Sequence, residues 1–440
     1  MSTPQGPLSG FRDMLAEQMI PRQAMLEKIR AVYESYGFVP LKTPALERFS
    51  TLSGKYGEEG DKLMYKFEDQ GGREVALRYD HTVPLARVVT QHRDKLPMPY
   101  KRYTVGEVWR GERPQAGRYR EFTQFDADIV GSQSPMADAE IIAVTSDSMA
   151  AIGADSLIRV NNRRILDALV EAAGITSPKD AHLFMAAIDK VEKVGAQKAL
   201  EEISTKHGQK AVALAADYLG VQGESMNKLH ALARLMSESE AMNEGIENLK
   251  TVFELLGAAG YSENQVVFDQ AIARGLDYYT GIIFETSLKG AEGLGSVCSG
   301  GRYDNLVKDL GGPDMPAVGT SIGVDRLFDG LQLLGHLKPA RTNTQVLVAN
   351  FDSNSVPEYV QIATKLRRAG IPSEVYYEPA KLGKQVGLAD RLGIPYVVLI
   401  GSDELDRGVA TIRSMDSGQQ VEVPVPELAE NLQQMLAAAG

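Results

Sequence analysis

Cysteine is almost absent from this chain of 440 residues, because Cys298 is its only one. A single thiol excludes an intrachain disulfide framework and any cysteine-based zinc cluster. The six histidines show no ligand-type spacing, so no built-in metal is expected. No apolar run approaches the roughly 20 residues that a membrane-spanning helix needs, and residues 1–10 lack the basic and apolar regions of a signal peptide. We therefore expect a cytoplasmic protein that does not contact a membrane.

Basic residues are outnumbered by acidic ones, which gives a formal net charge of −11. This balance argues against a general binder of polyanions, so a nucleic-acid partner would need a local basic face. There is also no Gly-x-x-x-x-Gly-Lys-Ser/Thr phosphate loop. If ATP binds, arginine side chains must hold it. The length predicts two or three domains, each with its own core.

The first third of the chain predicts a helix that opens at Pro21, followed by an extended segment over residues 38–44 whose prolines favour a sheet edge. Strands are predicted at residues 74–79, 100–109 and 121–130. The last two are joined by a loop containing Pro114 and Gly117, which predicts an antiparallel hairpin.

The remaining chain changes character three times. Residues 161–256 are rich in Ala, Leu, Lys and Glu at helical spacing and predict a helical insertion. Strands are then predicted at residues 266–268, 282–284, 296–299 and 317–323, with a helix from Val324. After a linker at residues 338–344, strands at 346–349, 375–377 and 397–400 alternate with helices at 357–369 and 382–392. This alternation predicts a parallel-rich α/β domain.

A polar segment at residues 274–281, Arg-Gly-Leu-Asp-Tyr-Tyr-Thr-Gly, lies between two apolar runs. Arginine offers a planar cationic fork for phosphate or carboxylate, and tyrosine offers a polar tip on a stiff apolar stem. Together they suit a small zwitterion activated by a phosphate compound. Any one of these residues alone would be explained as an exposed arginine or a core tyrosine.

A second polar segment lies in the predicted hairpin. Phe122, Gln124, Asp126 and Asp128 are two residues apart and so share one face of a strand. The opposite face carries Phe125, Ala127 and Ile129, which indicates that the polar face is the floor of a pocket. The alternative is a face exposed to solvent.

Five motifs, in order along nearly the whole chain, resemble those of the class II aminoacyl-tRNA synthetases. Arg110-x-Glu112, the loop after it and Arg120-Glu121-Phe122 resemble motif 2, and residues 317–326 resemble motif 3. The helix from Pro21 and the run ending at Pro44 are similar to motif 1, which builds a dimer interface. Residues 274–279 and 299–304 resemble two signatures of the histidyl members. The resemblance implies an α+β catalytic domain with an antiparallel sheet, within an α/β protein.

This resemblance implies ATP-dependent ligation of L-histidine to the 3′ end of tRNA(His) through a histidyl-adenylate, with Mg²⁺ bound to ATP and no other cofactor. Arg110 and Arg274 would hold the α-phosphate and act in catalysis, and Arg118 and Arg326 would hold the outer phosphates. Phe122 would stack on adenine beside Glu112. The implied histidine-binding residues are Asp80, Thr82 and Gln124 at the ammonium and Asp128, Tyr278, Tyr279 and Tyr303 around the imidazole. Many members carry Glu where Asp80 and Asp128 stand.

The implied organisation is a homodimer with a catalytic domain at residues 1–160 and 257–337. A helical insertion would occupy residues 161–256, and an anticodon-binding domain residues 343–440. Arg113 and Gln115 are available for the tRNA acceptor stem. The main alternative is the related non-catalytic subunit that senses histidine and regulates its biosynthesis; the full arginine set and the C-terminal domain count against it. An amino-acid sensing module of a larger regulator would need an effector domain, and we find none.

Overall fold

The computed structural model describes residues 6–115, 117–273 and 278–439. The chain divides into two units. The first holds the described residues up to Arg12 together with Met25–Leu337, and the second holds Asp13–Ala24 and the described residues from Lys338 onward. None of the helices in these ranges has the length and apolar character needed to cross a membrane.

The first unit is built on an eight-stranded sheet and a separate three-stranded sheet. Its strands are β1 (Val39–Pro40), β2 (Leu46–Arg48), β3 (Lys66–Glu68), β4 (Glu74–Leu77), β5 (Tyr100–Trp109), β6 (Glu121–Val130), β7 (Ser156–Asn162), β8 (Val266–Phe268), β9 (Ile282–Leu288), β10 (Cys298–Arg302) and β11 (Ala317–Gly323). The large sheet has the order β1-β5-β6-β11-β10-β9-β7-β8, and the small sheet has the order β2-β4-β3. Only the terminal pairs β1–β5 and β7–β8 of the large sheet are parallel. The predicted antiparallel architecture is confirmed.

Helix α1 (Ala16–Ser35) is divided between the units. The other helices of the first unit are α2 (Phe49–Leu52), α3 (Gly57–Leu63), α4 (Thr82–His92), α5 (Pro135–Ala151), α6 (Arg163–Ala172), α7 (Pro178–Asp189), α8 (Val191–Val194), α9 (Ala196–Gly220), α10 (Ser225–Leu235), α11 (Glu240–Ala258), α12 (Leu306–Asp309) and α13 (Val324–Leu333). Helix α11 packs against both α6 and α5, which joins the helical segment to the sheet.

The predicted hairpin has the bounds expected from its alternation of polar and apolar residues. Strands β5 and β6 pair antiparallel, with Tyr100 opposite Val130 and Trp109 opposite Glu121. Strand β11 and helix α13 also begin where predicted. The short strand β1 lies at the sheet edge, as its prolines favoured.

The predicted start of the first helix is wrong. Helix α1 begins at Ala16, and Pro21 lies inside it. Pro21 lacks a backbone N–H, so it costs the helix one i to i−4 hydrogen bond. The turn before it is helical because Leu15 O accepts hydrogen bonds from both Gln18 N and Met19 N at 2.9 Å. Two strand bounds also differ, since β4 ends at Leu77 and β10 starts at Cys298.

The second unit is a five-stranded sheet in the order β13-β12-β14-β15-β16. Its strands are β12 (Val346–Val348), β13 (Ser373–Val375), β14 (Tyr396–Leu399), β15 (Val409–Ser414) and β16 (Gln420–Pro424). Its helices are α14 (Val356–Arg368), α15 (Leu382–Leu392), α16 (Ser402–Arg407) and α17 (Leu428–Ala439). Val346 and Val348 pack into one core, while Leu347 and Ala349 pack into another on the opposite face. Burial on both faces explains the continuous apolar run.

Two expectations for the second unit need correction. Its sheet is mixed, because β15 and β16 add an antiparallel hairpin to the parallel strands β13, β12 and β14. Strand β13 ends at Val375, before Tyr376 and Tyr377. The carbonyls of these two tyrosines accept hydrogen bonds from Asn350 Nδ2, at 3.1 and 3.4 Å, where a longer strand had been predicted.

The contact between α11 and α6 generates a stability prediction. A Cβ atom on Gly245 would lie 2.9 Å from Ile165 Cγ1 and 3.3 Å from Ile165 N. We expect Gly245→Ala to lower the free energy of unfolding by about 1–3 kcal/mol through this overpacking. Gly257→Ala on the same helix is the control, because nothing lies within 4 Å of its added Cβ. The control is expected to be neutral or to stabilise by up to about 1 kcal/mol. Equal urea midpoints for the two variants would contradict this packing.

Candidate active site

The polar face of β6 is buried in the middle of the large sheet. Gln124, Asp126 and Asp128 are 8%, 2% and 2% exposed, and Phe125 and Ala127 on the other face are fully buried. Neighbouring strands on both sides supply the main-chain hydrogen bonds, with β5 on one edge of β6 and β11 on the other. The interpretation of this face as solvent-exposed is therefore wrong. A buried row of carboxylates needs specific partners.

Asp128 accepts a hydrogen bond at one carboxylate oxygen and forms an ion pair at the other, where it makes no hydrogen bond among the described residues. The Tyr303 hydroxyl donates to Oδ1, and Arg102 Nη2 lies 2.7 Å from Oδ2. The backbone of β11 leaves room for this carboxylate because residue 319 is glycine, where an added Cβ would lie 2.0 Å from Oδ1. Burial raises the pKa of Asp128, while Arg102 and Tyr303 oppose that rise.

Asp80 occupies a second buried position, at the start of helix α4. Its Oδ1 accepts from the Tyr56 hydroxyl at 2.8 Å and from the backbone N–H groups of Thr82 and Val83 at 3.1 Å each. The Tyr278 hydroxyl lies 3.5 Å from Oδ2. Burial raises the pKa of Asp80, and the Tyr56 hydrogen bond is the largest opposing effect.

Three tyrosines connect the two buried carboxylates. The ring of Tyr278 packs edge-on against the rings of Tyr279, at 5.2 Å, and Tyr303, at 5.7 Å. Because Tyr278 contacts Asp80 and Tyr303 contacts Asp128, the sequence-predicted histidine-binding side chains lie in one cluster. Thr82 adjoins it through its backbone bond to Asp80.

The floor of this cluster is rich in carboxyl groups. Asp80, Asp126 and Asp128 are all buried, and Arg102 is a fully buried cation beside them. Burial raises the pKa of Asp126 to about 7, and the Asp128 charge adds to this rise against the opposing effect of Arg102. An arrangement with more buried carboxylates than cations favours a ligand that carries a positive charge.

Arginines gather near the anionic floor. The Arg110 guanidinium lies 4.4 Å from the ring centre of Tyr79 and 5.2 Å from that of Phe122. Arg118 Nη1 pairs with Glu112 Oε2 at 3.0 Å. Arg326 donates from Nε to Gly117 O at 3.3 Å and from Nη1 to Ser296 O at 2.7 Å.

These arginines act on one another. Burial lowers the pKa of Arg326, and the positive charges of Arg118 and Arg110 lower it further. A cluster of cations close enough to repel is stabilised by a bound polyanion such as a triphosphate.

A cavity of about 480 Å³ opens beside the arginines. It is lined by Tyr56, Gly60, Leu63, Tyr79, Glu112, Arg113, Gln115 and Arg118. Tyr56 lines this cavity and donates its hydroxyl to Asp80, so the cavity adjoins the carboxylate cluster. Arg113 and Gln115, the predicted acceptor-stem residues, lie on its wall.

Arg274 lies outside the described residues, so its predicted place opposite Arg110 stays a prediction. Within the described ranges, no group of three or more His, Cys, Asp or Glu side chains is arranged to hold a metal ion. Cys298 is buried, and burial raises its thiol pKa to about 12.

Sequence reasoning missed three residues of the site. Arg102 could have been found from the hairpin register, which places it opposite Asp128. Tyr56 gave no signal, because its partner Asp80 is set by tertiary packing. Arg12 pairs with Asp325 across 313 positions, and Asp325 Oδ2 also accepts from Thr123 N at 2.7 Å, which fixes the start of α13 against β6.

Comparison with known proteins gives matches over both units. The family model described as histidyl-tRNA synthetase matches residues 10–327, and the anticodon binding domain model matches residues 345–435. The histidine–tRNA ligase of Rhodopirellula baltica is 41% identical over 421 residues, which cover 94% of each chain.

Two solved structures are also similar. The histidyl-tRNA synthetase of Nostoc sp. PCC 7120 superposes with a TM-score of 0.89 at 35% identity, covering 99% of this chain and 100% of the other. A protein from Bacillus halodurans, described as an ATP phosphoribosyltransferase regulatory subunit/histidyl-tRNA synthetase, has a TM-score of 0.74. It is 19% identical, with 89% of this chain and 97% of the other covered, and shows likeness of fold only.

Proposed function

This chain belongs to the histidyl-tRNA synthetase family, and from this premise we propose how its buried carboxylates and arginines divide the work of the reaction. The chain is an enzyme that ligates L-histidine to the 3′ end of tRNA(His), with ATP as a substrate and a histidyl-adenylate as intermediate. One observation supports the division of roles above all others. A carboxylate floor lies beside a cluster of arginines, so the site offers opposite charges to the two ends of an amino acid–ATP pair.

We assign the anionic cluster to histidine. Asp80, Thr82 and Gln124 bind the ammonium group, and Asp128, Tyr278, Tyr279 and Tyr303 surround the imidazole. Gln124 Oε1 is buried without a hydrogen-bond partner among the described residues, which supports its role as an acceptor. A pocket that bonds both ring nitrogens leaves its own groups unpaired with another amino acid, so discrimination of roughly 10⁴ needs no editing. Substitution of each of these residues tests the assignment, because the Michaelis constant for histidine should rise more than the Michaelis constant for ATP.

We assign the cationic cluster to ATP. Arg110 binds the α-phosphate, Arg118 and Arg326 bind the β- and γ-phosphates, and Phe122 stacks on adenine beside Glu112. The ion pair of Arg118 with Glu112 must then open for the phosphate. Mg²⁺ enters with the triphosphate and offsets its charge. If substitutions of Arg110, Arg118 or Arg326 raised the Michaelis constant for histidine but not for ATP, they would contradict this assignment.

In the first step the histidine carboxylate attacks the α-phosphorus in line, and pyrophosphate leaves. The arginines stabilise the negative charge that develops, which is worth a few kcal/mol for each well-placed group. Arg274 completes this set by gripping the phosphate opposite Arg110. In the second step the terminal ribose hydroxyl of the tRNA attacks the adenylate carbonyl. Both steps rest on positioning and electrostatics, without a protein nucleophile.

The regulatory alternative is less supported. A protein that only senses histidine needs the carboxylate cluster but has no use for three arginines arranged around a phosphate site. Arg326 lies within reach of the charges of Arg118 and Arg110, and Arg118 lines an open cavity. The match of the anticodon binding domain model to residues 345–435 also favours the ligase.

We further propose a division of labour along the chain. Residues 1–160 and 257–337 carry catalysis, residues 161–256 form an insertion, and residues 343–440 bind the anticodon. Arg113 and Gln115 on the cavity wall face the acceptor stem. We also propose a cytoplasmic location, where tRNA is charged for translation, and cell fractionation tests this.

Removal of residues 338–440 tests this division. We expect histidine-dependent ATP–pyrophosphate exchange to remain largely intact and aminoacylation of tRNA(His) to fall by about 10² or more, since several base-stacking contacts are lost at roughly 1–3 kcal/mol each. A urea unfolding curve of the shortened chain is the control for folding. Equal loss of both activities in a folded truncation would count against an anticodon-binding role.

We also propose a homodimer. Strand β1 lies at the edge of the large sheet, and Val39 is 47% exposed there. An apolar strand edge is normally covered, and motif 1 supplies this cover in the class II family by a second copy. Light scattering at dilute concentration is expected to give the mass of two chains. A mass of one chain would contradict the proposal.

A further inference from the structure

We propose that Arg102 is a positioning residue that determines specificity for histidine, because it holds the Asp128 carboxylate in the orientation that accepts the imidazole N–H. Arg102 is not among the residues proposed to contact histidine or ATP, and its side chain does not need to contact the substrate. The inference rests on the proposed histidine pocket and adds to it the residue that fixes its acceptor.

The sheet itself brings the two residues together. Arg102 on β5 lies directly opposite Asp128 on β6 in the antiparallel register. Its side chain is fully buried, with Nη2 2.7 Å from Asp128 Oδ2 and 3.3 Å from His81 O. The Tyr303 hydroxyl holds the other carboxylate oxygen. The carboxylate therefore has a hydrogen bond at Oδ1 and an ion pair, without hydrogen-bond geometry, at Oδ2. The Tyr303 hydroxyl and the guanidinium charge together favour one orientation of the carboxylate plane.

The simpler explanation is that Arg102 and Asp128 form an ion pair that serves only stability. The buried pair of Arg302 with Asp138 is a useful comparison for such a structural ion pair. Arg302 Nε donates to Asp138 Oδ1 at 2.9 Å, and Nη1 donates to Ser132 O at 2.9 Å and to Asp304 Oδ1 at 3.2 Å. Arg302 leaves only Nη2 without a hydrogen-bond partner in the described part of the chain, whereas Arg102 leaves both Nε and Nη1 without one. Burying a cation with two unused donors is costly, so the pair is a poor device for stability.

The chemistry of imidazole binding needs what Arg102 provides. A carboxylate accepts from an imidazole N–H in a charge-assisted bond, whereas a protonated carboxyl group offers a donor in that place. Burial raises the pKa of Asp128, and the fixed guanidinium charge is the largest opposing effect. The aspartate side chain is also short, and Arg102 reaches it from the neighbouring strand. Loss of Arg102 would therefore change both the charge and the orientation of the Asp128 carboxylate.

The test compares Arg102→Met, Arg102→Lys and the control Arg87→Met in ATP–pyrophosphate exchange. Arg87 Nη2 lies 2.6 Å from the buried Glu47 Oε1, so the control also breaks an ion pair with a buried carboxylate. We expect Arg102→Met to raise the histidine Michaelis constant about 30-fold or more, as for loss of one partner of a buried charge pair. Arg102→Lys should recover part of this loss because it keeps the charge without the planar fork. The ATP Michaelis constant should change by less than about 3-fold in all three.

A double-mutant cycle tests whether the effect of Arg102 depends on the Asp128 carboxylate. In an Asp128→Asn background, where no carboxylate remains to be aimed, Arg102→Met and Arg102→Lys should change the histidine Michaelis constant by less than about 3-fold. An unaltered histidine constant in Arg102→Lys and Arg102→Met would overturn the proposal. So would equal increases for histidine and ATP, or additive effects in the cycle, since these indicate a structural role. If Arg102→Met does not fold, Arg102→Lys alone and in the cycle decides between the same outcomes.

The wild-type measurement separates this inference from the proposed function. Wild-type protein that shows no histidine-dependent exchange would overturn both. Wild-type activity together with Arg102 variants that keep the histidine constant would overturn the role of Arg102 alone.

Discussion

The burial of three carboxylates beneath one pocket is the constraint on which the catalytic unit depends. Asp126 and Asp128 lie on the central strand β6, and Asp80 lies at the start of α4, all nearly inaccessible to water. An unpaired buried charge is strongly unfavourable, so each carboxyl group needs either close partners or a raised pKa, and burial raises the pKa of Asp126 to about 7. Asp80 receives backbone N–H groups and a tyrosine hydroxyl, and Asp128 receives Tyr303 and Arg102. Even the glycine at position 319 is explained by the space that Asp128 requires.

Arginines lie beside these buried carboxyl groups, so the site presents groups of opposite charge to its ligands. In the function we propose, the amino group of histidine binds at the carboxylates and the triphosphate of ATP binds at Arg110, Arg118 and Arg326. The charges of Arg110 and Arg118 act on Arg326. On this proposal, opposite charges orient the two substrates before any bond changes, and a site without a protein nucleophile can then accelerate formation of the adenylate. Asp325 contributes indirectly, since its bonds to Arg12 and Thr123 N fix the helix that presents Arg326.

The sequence pattern predicted those strands and helices whose bounds are set by neighbouring residues along the chain. Alternation in β5 and β6 gave both strands to the residue, and the Gly-rich run into Val324 gave β11 and α13. The start of α1 and the end of β13 were mispredicted, because hydrogen bonds from Leu15 O and Asn350 decide them. Arg102 was overlooked because its role depends on strand register. The contact of Arg12 with Asp325 spans 313 positions and leaves no trace in sequence spacing.

The central claim is that the paired anionic and cationic clusters activate histidine and no other amino acid. ATP–pyrophosphate exchange, measured with each standard amino acid in turn and without tRNA, tests this claim most directly. The account predicts exchange with histidine and a rate at least about 10⁴-fold lower with every other amino acid, because the buried acceptors would remain unpaired. Comparable exchange with a second amino acid would contradict the assigned pocket. Histidine binding without any exchange would contradict catalysis and favour the regulatory interpretation.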